Sequence, residues 1–363
     1  MVQSPPVKFG PLVSIIITNY NYGHFLAIAI DSALRQRYHS VEVIVVDDGS
    51  TDNSHQVIGC YGKQILPIFK SNGGQGSAIN AGFYHSHGEI IIFLDADDML
   101  LPDTVQRIVD AYHVKPEAAK IMYRLEVIDA YGKRTGELKP QAHLPLPSGS
   151  LQKHVLTFPF DMVWMATSGN SFAASVLRQI LPIPEKEYPI LADYYLSLIT
   201  PLFGPVVFLQ DIGAYYRLHG NNNHENTQEI DLRKIRRLLT YSTTTWAYIQ
   251  KFAEKLQLEG YPAPGSELLS VSSISERLIS LKLSPGDHPV PGDTPWRLFR
   301  LGIAATVRRF DVTWLMRAIF VIWFAALALA PPRIARWLAA QFLLPNRRPL
   351  LNRLLRTMHR SPG

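Results

Sequence analysis

The stretch that decides the fold is Ile90-Ile91-Ile92-Phe93-Leu94, which runs directly into Asp95-Ala96-Asp97-Asp98. The apolar run predicts a buried strand, and the carboxylates follow where that strand ends. In α/β sheets, ligands bind outside the carboxyl ends of the strands. Carboxylates one residue apart can share a hard divalent cation whose other ligands are phosphate oxygens. The stretch alone therefore predicts either a metal-assisted nucleotide site or an acidic turn that caps the helix after Pro102.

Two apolar segments nearer the N-terminus end in polar groups in the same way. Residues 41–46 are followed by Asp47-Asp48-Gly49-Ser50-Thr51-Asp52, and residues 12–17 by Thr18-Asn19-Tyr20-Asn21-Tyr22. The carboxyl ends of parallel strands meet at one edge of a sheet, so these groups are expected to converge. One convergent site explains the three strand ends better than three unrelated turns, and its groups suit a base and a ribose.

A glycine-rich segment precedes the decisive strand: Asn72-Gly73-Gly74-Gln75-Gly76-Ser77-Ala78-Ile79-Asn80-Ala81-Gly82. Its backbone amides are suited to a close approach to phosphate or ribose at the start of a helix. It is not a dinucleotide fingerprint, because it does not follow the first strand and Ile79 occupies the place of the third glycine. The chain also has no Gly-Lys-Ser/Thr triplet of a P-loop. The segment alone does not identify a ligand.

Together, the order and spacing of these four motifs resemble the family 2 glycosyltransferases, over residues from about 12 to about 223. The resemblance implies a GT-A nucleotide-binding fold of the α/β class. The alternation of strand and helix patterns predicts a mostly parallel central sheet, and the pattern after about residue 228 predicts an α-helical C-terminal region. The resemblance also implies a nucleotide-diphosphate sugar donor and a Mg²⁺ or Mn²⁺ cofactor.

The resemblance assigns roles to individual residues. Thr18 and Tyr20 would border the nucleobase, and Asp48 would hold the base or the ribose. Asp95 would face the ribose, and Asp97 would be the main ligand of a Mg²⁺ or Mn²⁺ bridging the donor diphosphate. The other residues expected in the nucleotide-sugar site are Asn19, Asn21, Asn72, Gly74, Asn80, Ala96 and Arg217.

Further along, Tyr188-Pro189-Ile190-Leu191-Ala192-Asp193-Tyr194-Tyr195 places an aspartate where an inverting member keeps its general base, usually within Glu-Asp. The resemblance implies that Asp193 is the catalytic base. Ala192 stands in place of the glutamate, a departure that concerns acceptor orientation rather than the base. Taken alone, Asp193 is better explained as a first-turn helix residue that complements the helix dipole.

The segment Tyr215-Tyr216-Arg217-Leu218-His219-Gly220-Asn221-Asn222 is similar to the family's Tyr-Arg-x-His segment. This similarity implies that His219 is a further metal ligand or a diphosphate contact, and that Arg217 positions the loop. A lone histidine after a strand is more often an ordinary loop residue. A second departure is Ile79, where many members have arginine before the asparagine.

The implied reaction is a single displacement with inversion, in which Asp193 takes a proton from an acceptor hydroxyl that attacks the anomeric carbon. One hexosyl-type transfer is expected, because Arg333-Ile334-Ala335-Arg336-Trp337 lacks the glutamine of the Gln-x-x-Arg-Trp segment in processive synthases. The expected acceptor is a glycan or lipid-linked precursor in cell-surface polysaccharide or glycolipid synthesis.

Two other functions stay open. The alanine before Asp193 allows a catalytically silent module that binds nucleotide or sugar. A sugar nucleotidyltransferase shares the α/β architecture and the metal, but it usually has a Gly-rich loop with Arg or Lys after the first strand. This chain has Thr18-Asn19-Tyr20-Asn21 there.

Strand and helix patterns divide the chain. Residues 1–228 are expected to form the catalytic domain, with a nucleotide-binding part at about 10–115 and an acceptor part at about 116–228. Within the acceptor part, Trp164 and Thr167-Ser168-Gly169-Asn170-Ser171 would either contact sugar hydroxyls or form core and turn. A helical extension is expected over 229–296 and a basic, apolar tail over 297–363.

The charge is concentrated in that tail. From residue 297 onward there are twelve arginines, no lysine and one acid, which gives +11; because the whole chain carries +6, residues 1–296 carry −5. The run Ala318–Ala330 has no polar side chain and is closed by Pro331-Pro332, but a spanning helix needs roughly twenty apolar residues. The tail therefore suits an interfacial or re-entrant hairpin on an anionic membrane surface. A soluble helical subdomain or an oligomer interface is the alternative.

The expected location is cytoplasmic, on the cytoplasmic face of the membrane. The chain has one cysteine, Cys60, and Met1–Pro6 lacks the basic-then-apolar layout of a signal peptide. Nucleic acid is not an expected partner, because no recognised binding module accompanies the arginines.

Overall fold

The structure is a computed structural model that describes residues 10–142, 144, 146–220, 222, 229–260, 262–263 and 265–343. They fall into two compact units. The first contains 10–142, 146–151 and 164–219, and the second contains 144, 152–163 and the described residues from 220 onward. The boundary predicted at residue 228 and the arginines from 347 onward lie outside the described residues.

The first unit is built on one sheet. Its strands are β1 Val13–Asn19, β2 Val41–Asp47, β3 Leu66–Phe69, β4 Ile90–Asp95, β5 Met99–Leu100, β6 Lys120–Ile128, β7 Arg134–Lys139, β8 Asn170–Ala173 and β9 Val206–Arg217. Their order is β3-β2-β1-β4-β8-β6-β9-β5, with β7 paired to β6. The pairs β2–β3, β1–β2, β1–β4 and β6–β9 are parallel, and the other pairs are antiparallel. The parallel arrangement predicted for residues 10–115 is confirmed in β1 to β4.

Helices alternate with these strands and then dominate the second unit. They are α1 Gly23–Leu34, α2 Ser54–Gly59, α3 Gln75–Tyr84, α4 Thr104–Val114, α5 Gln152–Thr157, α6 Ala174–Ile180, α7 Ala192–Ile199, α8 Leu232–Lys255, α9 Val271–Leu283, α10 Pro295–Arg308, α11 Trp314–Leu329 and α12 Pro332–Leu343. The helical patterns of the sequence predict helices near 24–37, 52–61, 76–87, 102–114, 230–257 and 265–282. Each is present, with ends that differ by up to six residues.

The core of the first unit follows from the apolar runs that the sequence displays. Ile15, Ile16 and Ile17 of β1 and the run Ile91–Leu94 of β4 are fully buried, and both strands lie in the interior of the sheet. Helix α3 packs closely on β1: a Cβ on Gly82 would lie 2.3 Å from Cγ2 of Ile16. A residue larger than glycine at position 82 would therefore push this helix off the sheet.

The second unit buries its own core. Its members come from α8 to α12 and include Leu239, Ile274, Leu298, Phe324 and Leu327. A Cβ on Gly302 of α10 would lie 2.5 Å from the Phe324 ring of α11, so the two helices approach closely. Within the described residues, no helix combines the length and the apolar content that crossing a bilayer requires.

Candidate active site

The ends of β1, β2 and β4 lie side by side, as the sequence predicts. In the sheet register Thr18 pairs with Asp95, and Asn19 pairs with Asp47. The polar groups that follow these strands therefore share one edge of the sheet. This placement is what the parallel pairing of three strands dictates.

The residues after β1 divide into buried and accessible ones. The amide of Asn19 is buried and donates to Asp47 Oδ2 at 2.8 Å and to Ser50 Oγ at 3.1 Å. Asn21 adopts a left-handed backbone with φ +59°, and its side-chain oxygen accepts from the N–H of Thr51 at 2.7 Å. Both asparagines hold the loops in place, whereas the Tyr20 ring is 47% exposed at the sheet edge.

Asp48 organises the glycine-rich loop. Its carboxylate accepts from Lys70 Nζ at 2.6 Å and from the N–H groups of Gly73 at 3.0 Å and Gly74 at 2.7 Å. Asn72 donates its side-chain amide to the Asp48 carbonyl at 3.0 Å. The role expected for Asp48 at the base or ribose stays a prediction, and its contacts show that the residue also fixes the loop.

Gly74 is required by its surroundings. Its φ is +85°, and a Cβ there would lie 2.4 Å from the carbonyl oxygen of Pro189. The loop thus packs directly on the segment that leads to Asp193. Asn80, also expected in the nucleotide site, bonds the 183–185 segment, where it accepts from the N–H of Ile183 at 2.7 Å. Its role in the nucleotide site stays a prediction.

The carboxylates after β4 have different surroundings. Asp95 is half-buried, and burial with the charges of Asp97 and Asp193 raises its pKa to about 8. Asp98 is buried; its Oδ1 accepts from the N–H of Arg217 at 2.9 Å, and its Oδ2 has no hydrogen-bond partner among the described residues. Burial and the charges of Asp97 and Asp95 raise the pKa of Asp98 well above its ordinary value. The side chain of Ala96 is buried, so the methyl faces the interior.

Asp97 and His219 come together as the resemblance implied. His219 Nε2 lies 2.9 Å from Asp97 Oδ2, with the imidazole almost fully buried. Arg217 holds the Asp97 backbone: its Nε donates to the Asp97 carbonyl at 2.9 Å, and its guanidinium stacks on Phe25 at 4.7 Å. The Tyr22 ring lies 5.3 Å from the His219 ring, and burial with the charge of Asp97 raises the pKa of Tyr22 to about 12.

These side chains fit a cation that draws its other ligands from a substrate. A hard cation such as Mg²⁺ is often held by one or two protein groups, with phosphate oxygens and waters completing the shell. Among the described residues there is no group of three or more His, Cys, Asp or Glu side chains placed to hold a metal by themselves. The pair Asp97 and His219 therefore suits a diphosphate-bound cation better than an all-protein site.

Asp193 lies in the first turn of α7. The helix begins after Leu191, whose φ of +62° is unusual for a residue with a side chain. Asp193 Oδ1 is buried and has no hydrogen-bond partner among the described residues. Burial raises the pKa of Asp193 to about 6, against the lowering effects of the N–H of Tyr194 and the charge of Lys120. The group is therefore ionised at neutral pH and has a pKa suited to accepting a proton.

Lys120 is a buried cation that sequence reasoning missed. It begins β6, is fully buried, and donates from Nζ to Ser197 Oγ at 2.9 Å. Ser197 lies one helical turn after Asp193, and the lysine ammonium lies 5.4 Å from the centre of the Trp164 ring. Burial lowers the pKa of Lys120 to about 7. A lysine at the start of a strand normally faces solvent, so no signal in the sequence indicated this position.

Gln75 is the second residue that the sequence did not single out. Its Oε1 accepts from the N–H of Ala192 at 3.0 Å, and its Nε2 donates to Asp95 Oδ1 at 3.4 Å and to Thr167 Oγ1 at 3.2 Å. In the sequence it is one residue of a glycine-rich loop whose backbone amides, rather than its side chains, are expected to approach the ligand. The contacts show that its side chain joins Asp95 to the helix that carries Asp193.

Comparison with known proteins finds similarity to glycosyltransferases. Residues 14–174 match the model of glycosyl transferase family 2. An uncharacterized glycosyltransferase from Nostoc sp. is 39% identical over 216 residues, which is 58% of this chain and 66% of that protein. A hyaluronan synthase from Pasteurella multocida is 43% identical over 108 residues, 29% of this chain and 11% of the synthase. The matched segment covers less than two thirds of the length of each relative.

Solved structures confirm the predicted GT-A fold. TarS 1–349 of S. aureus, in complex with UDP-GlcNAc, superposes with a TM-score of 0.51 at 13% identity, over 91% of both chains. The mannosyltransferase PcManGT from Pyrobaculum calidifontis, in complex with GDP-Man and Mn²⁺, gives 0.50 at 17% identity, over 96% of this chain and 90% of its own.

Proposed function

Because the chain belongs to glycosyl transferase family 2, whose model matches residues 14–174, we propose that it is an inverting glycosyltransferase that adds one sugar from a nucleotide-diphosphate donor to a hydroxyl acceptor. One observation carries this proposal: Gln75 bonds both Asp95 and the first turn of the Asp193 helix, so the donor carboxylates and the base adjoin one site. The charge of Asp193 also contributes to the raised pKa of Asp95, which is consistent with two neighbouring carboxylates.

The donor would lie along the edge formed by β1, β2 and β4. Thr18 and Tyr20 would border the base, and Asp95 would face the ribose. Asp97 and His219 would hold a Mg²⁺ or Mn²⁺, which when bound neutralises charge on the diphosphate leaving group. Lys70 and the N–H groups of the glycine-rich loop lie on the same edge.

The chemical step would be a single displacement. Asp193, ionised above about pH 6, takes the proton of the acceptor hydroxyl as that oxygen forms a bond to the anomeric carbon. The bond from that carbon to the diphosphate breaks with its electron pair on the leaving oxygen. Attack from the face opposite the leaving group inverts the configuration.

The test is a panel of UDP-, GDP-, dTDP- and CDP-sugars, each with and without Mn²⁺, followed by a transfer assay with any donor that binds. UDP and GDP sugars are included because the TarS and mannosyltransferase structures hold UDP-GlcNAc and GDP-Man. We expect a metal-dependent thermal shift with one nucleotide series and release of nucleoside diphosphate. Release of pyrophosphate would instead indicate a nucleotidyltransferase, and binding without transfer would indicate the catalytically silent module.

The charge of the buried Lys120 is expected to affect how kcat depends on pH. Asp193 must be ionised to act as a base, so kcat at saturating donor and metal is expected to fall as the pH drops below about 6. Lys120 has a pKa of about 7 and is charged in that range, where it favours ionised Asp193. Lys120→Met removes this charge, so the acidic limb is expected to move to higher pH.

The matched control is Lys115→Met, because Lys115 is exposed and lies just before β6. Its profile should coincide with that of the wild type. If the acidic limb of the kcat profile stayed in place or moved to lower pH in Lys120→Met, the role assigned to the lysine would be contradicted.

The acceptor is proposed to be a glycan or lipid-linked precursor reached at an anionic, cytoplasmic membrane face. The support comes from α11, whose single polar residue is Arg317. One side of this helix is buried through Phe324 and Leu327, while Leu315, Ile322 and Leu329, spaced by seven residues, are 41%, 67% and 85% exposed. A helix that is apolar on its exposed side as well suits a bilayer interface better than water.

The neighbouring helices add the residues expected at such an interface. Trp296 of α10 and Trp337 of α12 are exposed, as are Arg308, Arg333 and Arg336. Exposed tryptophans favour the headgroup region, and arginines favour anionic lipids.

We expect the full chain to sediment with vesicles that contain anionic lipid, less strongly at high salt, and not with phosphatidylcholine vesicles. Full burial of a Leu or Ile side chain is worth roughly 1.5–3 kcal/mol, so the double variant Ile322→Asp with Leu329→Asp should lose binding by at least about a hundredfold. The control carries Val114→Asp and Tyr131→Asp, two exposed positions of the first unit, and should still sediment. Equal sedimentation of the two double variants would refute the assigned surface.

A further inference from the structure

The start of α7 is held by a side chain from another helix. The first N–H groups of a helix lack partners within the helix and are usually satisfied by a side chain at the N-cap. Here the N-cap is Leu191, which offers no capping side chain and has a left-handed backbone. The N–H of Ala192 is satisfied instead from another helix, by Oε1 of Gln75 at 3.0 Å.

The same side chain reaches the other half of the site. Its Nε2 donates to Asp95 Oδ1 at 3.4 Å and to Thr167 Oγ1 at 3.2 Å. A glutamine amide has a donor and an acceptor on one rigid plane, so it joins an N–H group to a carboxylate. A glutamate could not donate to Asp95 and would bring a like charge to it, and an asparagine is one methylene shorter.

The backbone of the loop reinforces this link. The N–H of Gln75 donates to the Pro189 carbonyl at 2.8 Å, and the N–H of Gly76 donates to the Tyr188 carbonyl at 3.1 Å. The segment before α7 and the start of α3 are therefore bonded through main chain as well as side chain. With the backbone in place, the Gln75 side chain fixes the final position of the first α7 turn.

We propose that Gln75 is a positioning residue that sets the placement of the base Asp193 relative to the donor carboxylate Asp95. The proposal rests on the proposed function, because it assigns the base to one end of the link and the donor to the other. Reacting atoms must be held within a few tenths of an ångström, and a misplacement of about 1 Å can cost about 10²-fold in rate. Loss of the Gln75 amide should therefore slow the chemical step more than it weakens donor binding.

The test uses Gln75→Met, which keeps the side-chain length and removes both hydrogen-bonding groups. We expect kcat to fall by about 10- to 100-fold, while the donor dissociation constant measured with Mn²⁺ changes by less than about threefold. Amide hydrogen exchange should quicken at residues 192–195 of α7. In the Asp193→Asn background, where no base remains to be placed, Gln75→Met should have little further effect on kcat.

Gln36→Met is the matched control. Gln36 is buried and makes three hydrogen bonds, two of them to the 101–105 segment: its Nε2 donates to the carbonyls of Ser32 at 3.0 Å and Leu101 at 2.9 Å, and its Oε1 accepts from the N–H of Val105 at 3.1 Å. This variant should lose stability to a similar extent but retain kcat and the exchange rates of α7. A purely structural role for Gln75 would make the two variants alike.

The possible failures can be told apart. Absence of transfer by the wild type with every donor would count against the proposed function. Wild-type transfer together with an undiminished kcat in Gln75→Met would overturn the positioning role. Unchanged exchange at residues 192–195 would overturn it as well, whether or not transfer is found.

Discussion

Replacement of Asp193 by Asn is expected to remove most sugar transfer, by ~10²–10⁴-fold in kcat, while the donor still binds. Asparagine has nearly the same shape as aspartate but cannot accept the acceptor's proton at neutral pH. The fold should tolerate the change, because Asp193 Oδ1 makes no hydrogen bond within the described residues and burial already disfavours the charged form. The measurement is kcat at saturating donor and acceptor, with donor affinity determined on the same preparation.

Asp110→Asn serves as the control, because Asp110 is an exposed carboxylate of α4. It should transfer sugar at the wild-type rate. If Asp193→Asn did so too, Asp193 would not be the base, and the resemblance in this segment would have to be explained by helix capping alone.

Replacement of Asp97 by Ala is expected to abolish metal-dependent donor binding. The change removes the carboxylate that lies 2.9 Å from His219 Nε2 and leaves the imidazole as the one remaining ligand of the pair. A ligand present at about a hundred times its dissociation constant stabilises the folded state by ~2.7 kcal/mol. The Mn²⁺-dependent part of that stabilisation should vanish in thermal-shift measurements with the donor.

The Asp97→Ala change is not expected to destabilise the ligand-free protein, so loss of the Mn²⁺-dependent thermal shift should report loss of donor binding. The charge of Asp97 contributes to the raised pKa of both Asp95 and Asp98, so its removal relieves like-charge repulsion in the ligand-free protein. Asp103→Ala, at an exposed ion pair with Arg37, is the control and should keep the full shift. An unchanged Mn²⁺-dependent shift in Asp97→Ala would remove the metal assignment.

The part of the fold that could be predicted is the part that depends on local pattern. Apolar runs that end in acids or amides indicated β1, β2 and β4, and the parallel pairing of such strands is enough to bring Thr18 beside Asp95. Strand β8 gave no such signal. It has four residues, Asn170-Ser171-Phe172-Ala173, and it forms because it fits antiparallel between β4 and β6.

The part of the site that could not be predicted depends on contacts between distant residues. Gln75 bonds a residue 117 positions away, and Lys120 bonds one 77 positions away. Neither side chain stands out from its neighbours by type or spacing. Their partners are set by how α7 packs against the sheet, which no local pattern specifies.

The contact at Gly74 bears on how such enzymes can be recombined. A chimera that takes its donor half from one parent and its acceptor half from another must join the glycine-rich loop to a foreign Pro189 segment. Because a single added Cβ at position 74 would lie 2.4 Å from the Pro189 carbonyl, that junction tolerates almost no difference in backbone path. Donor preference and acceptor preference are therefore difficult to exchange separately between parents. A crossover is better placed so that the glycine-rich loop and the Pro189 segment come from the same parent.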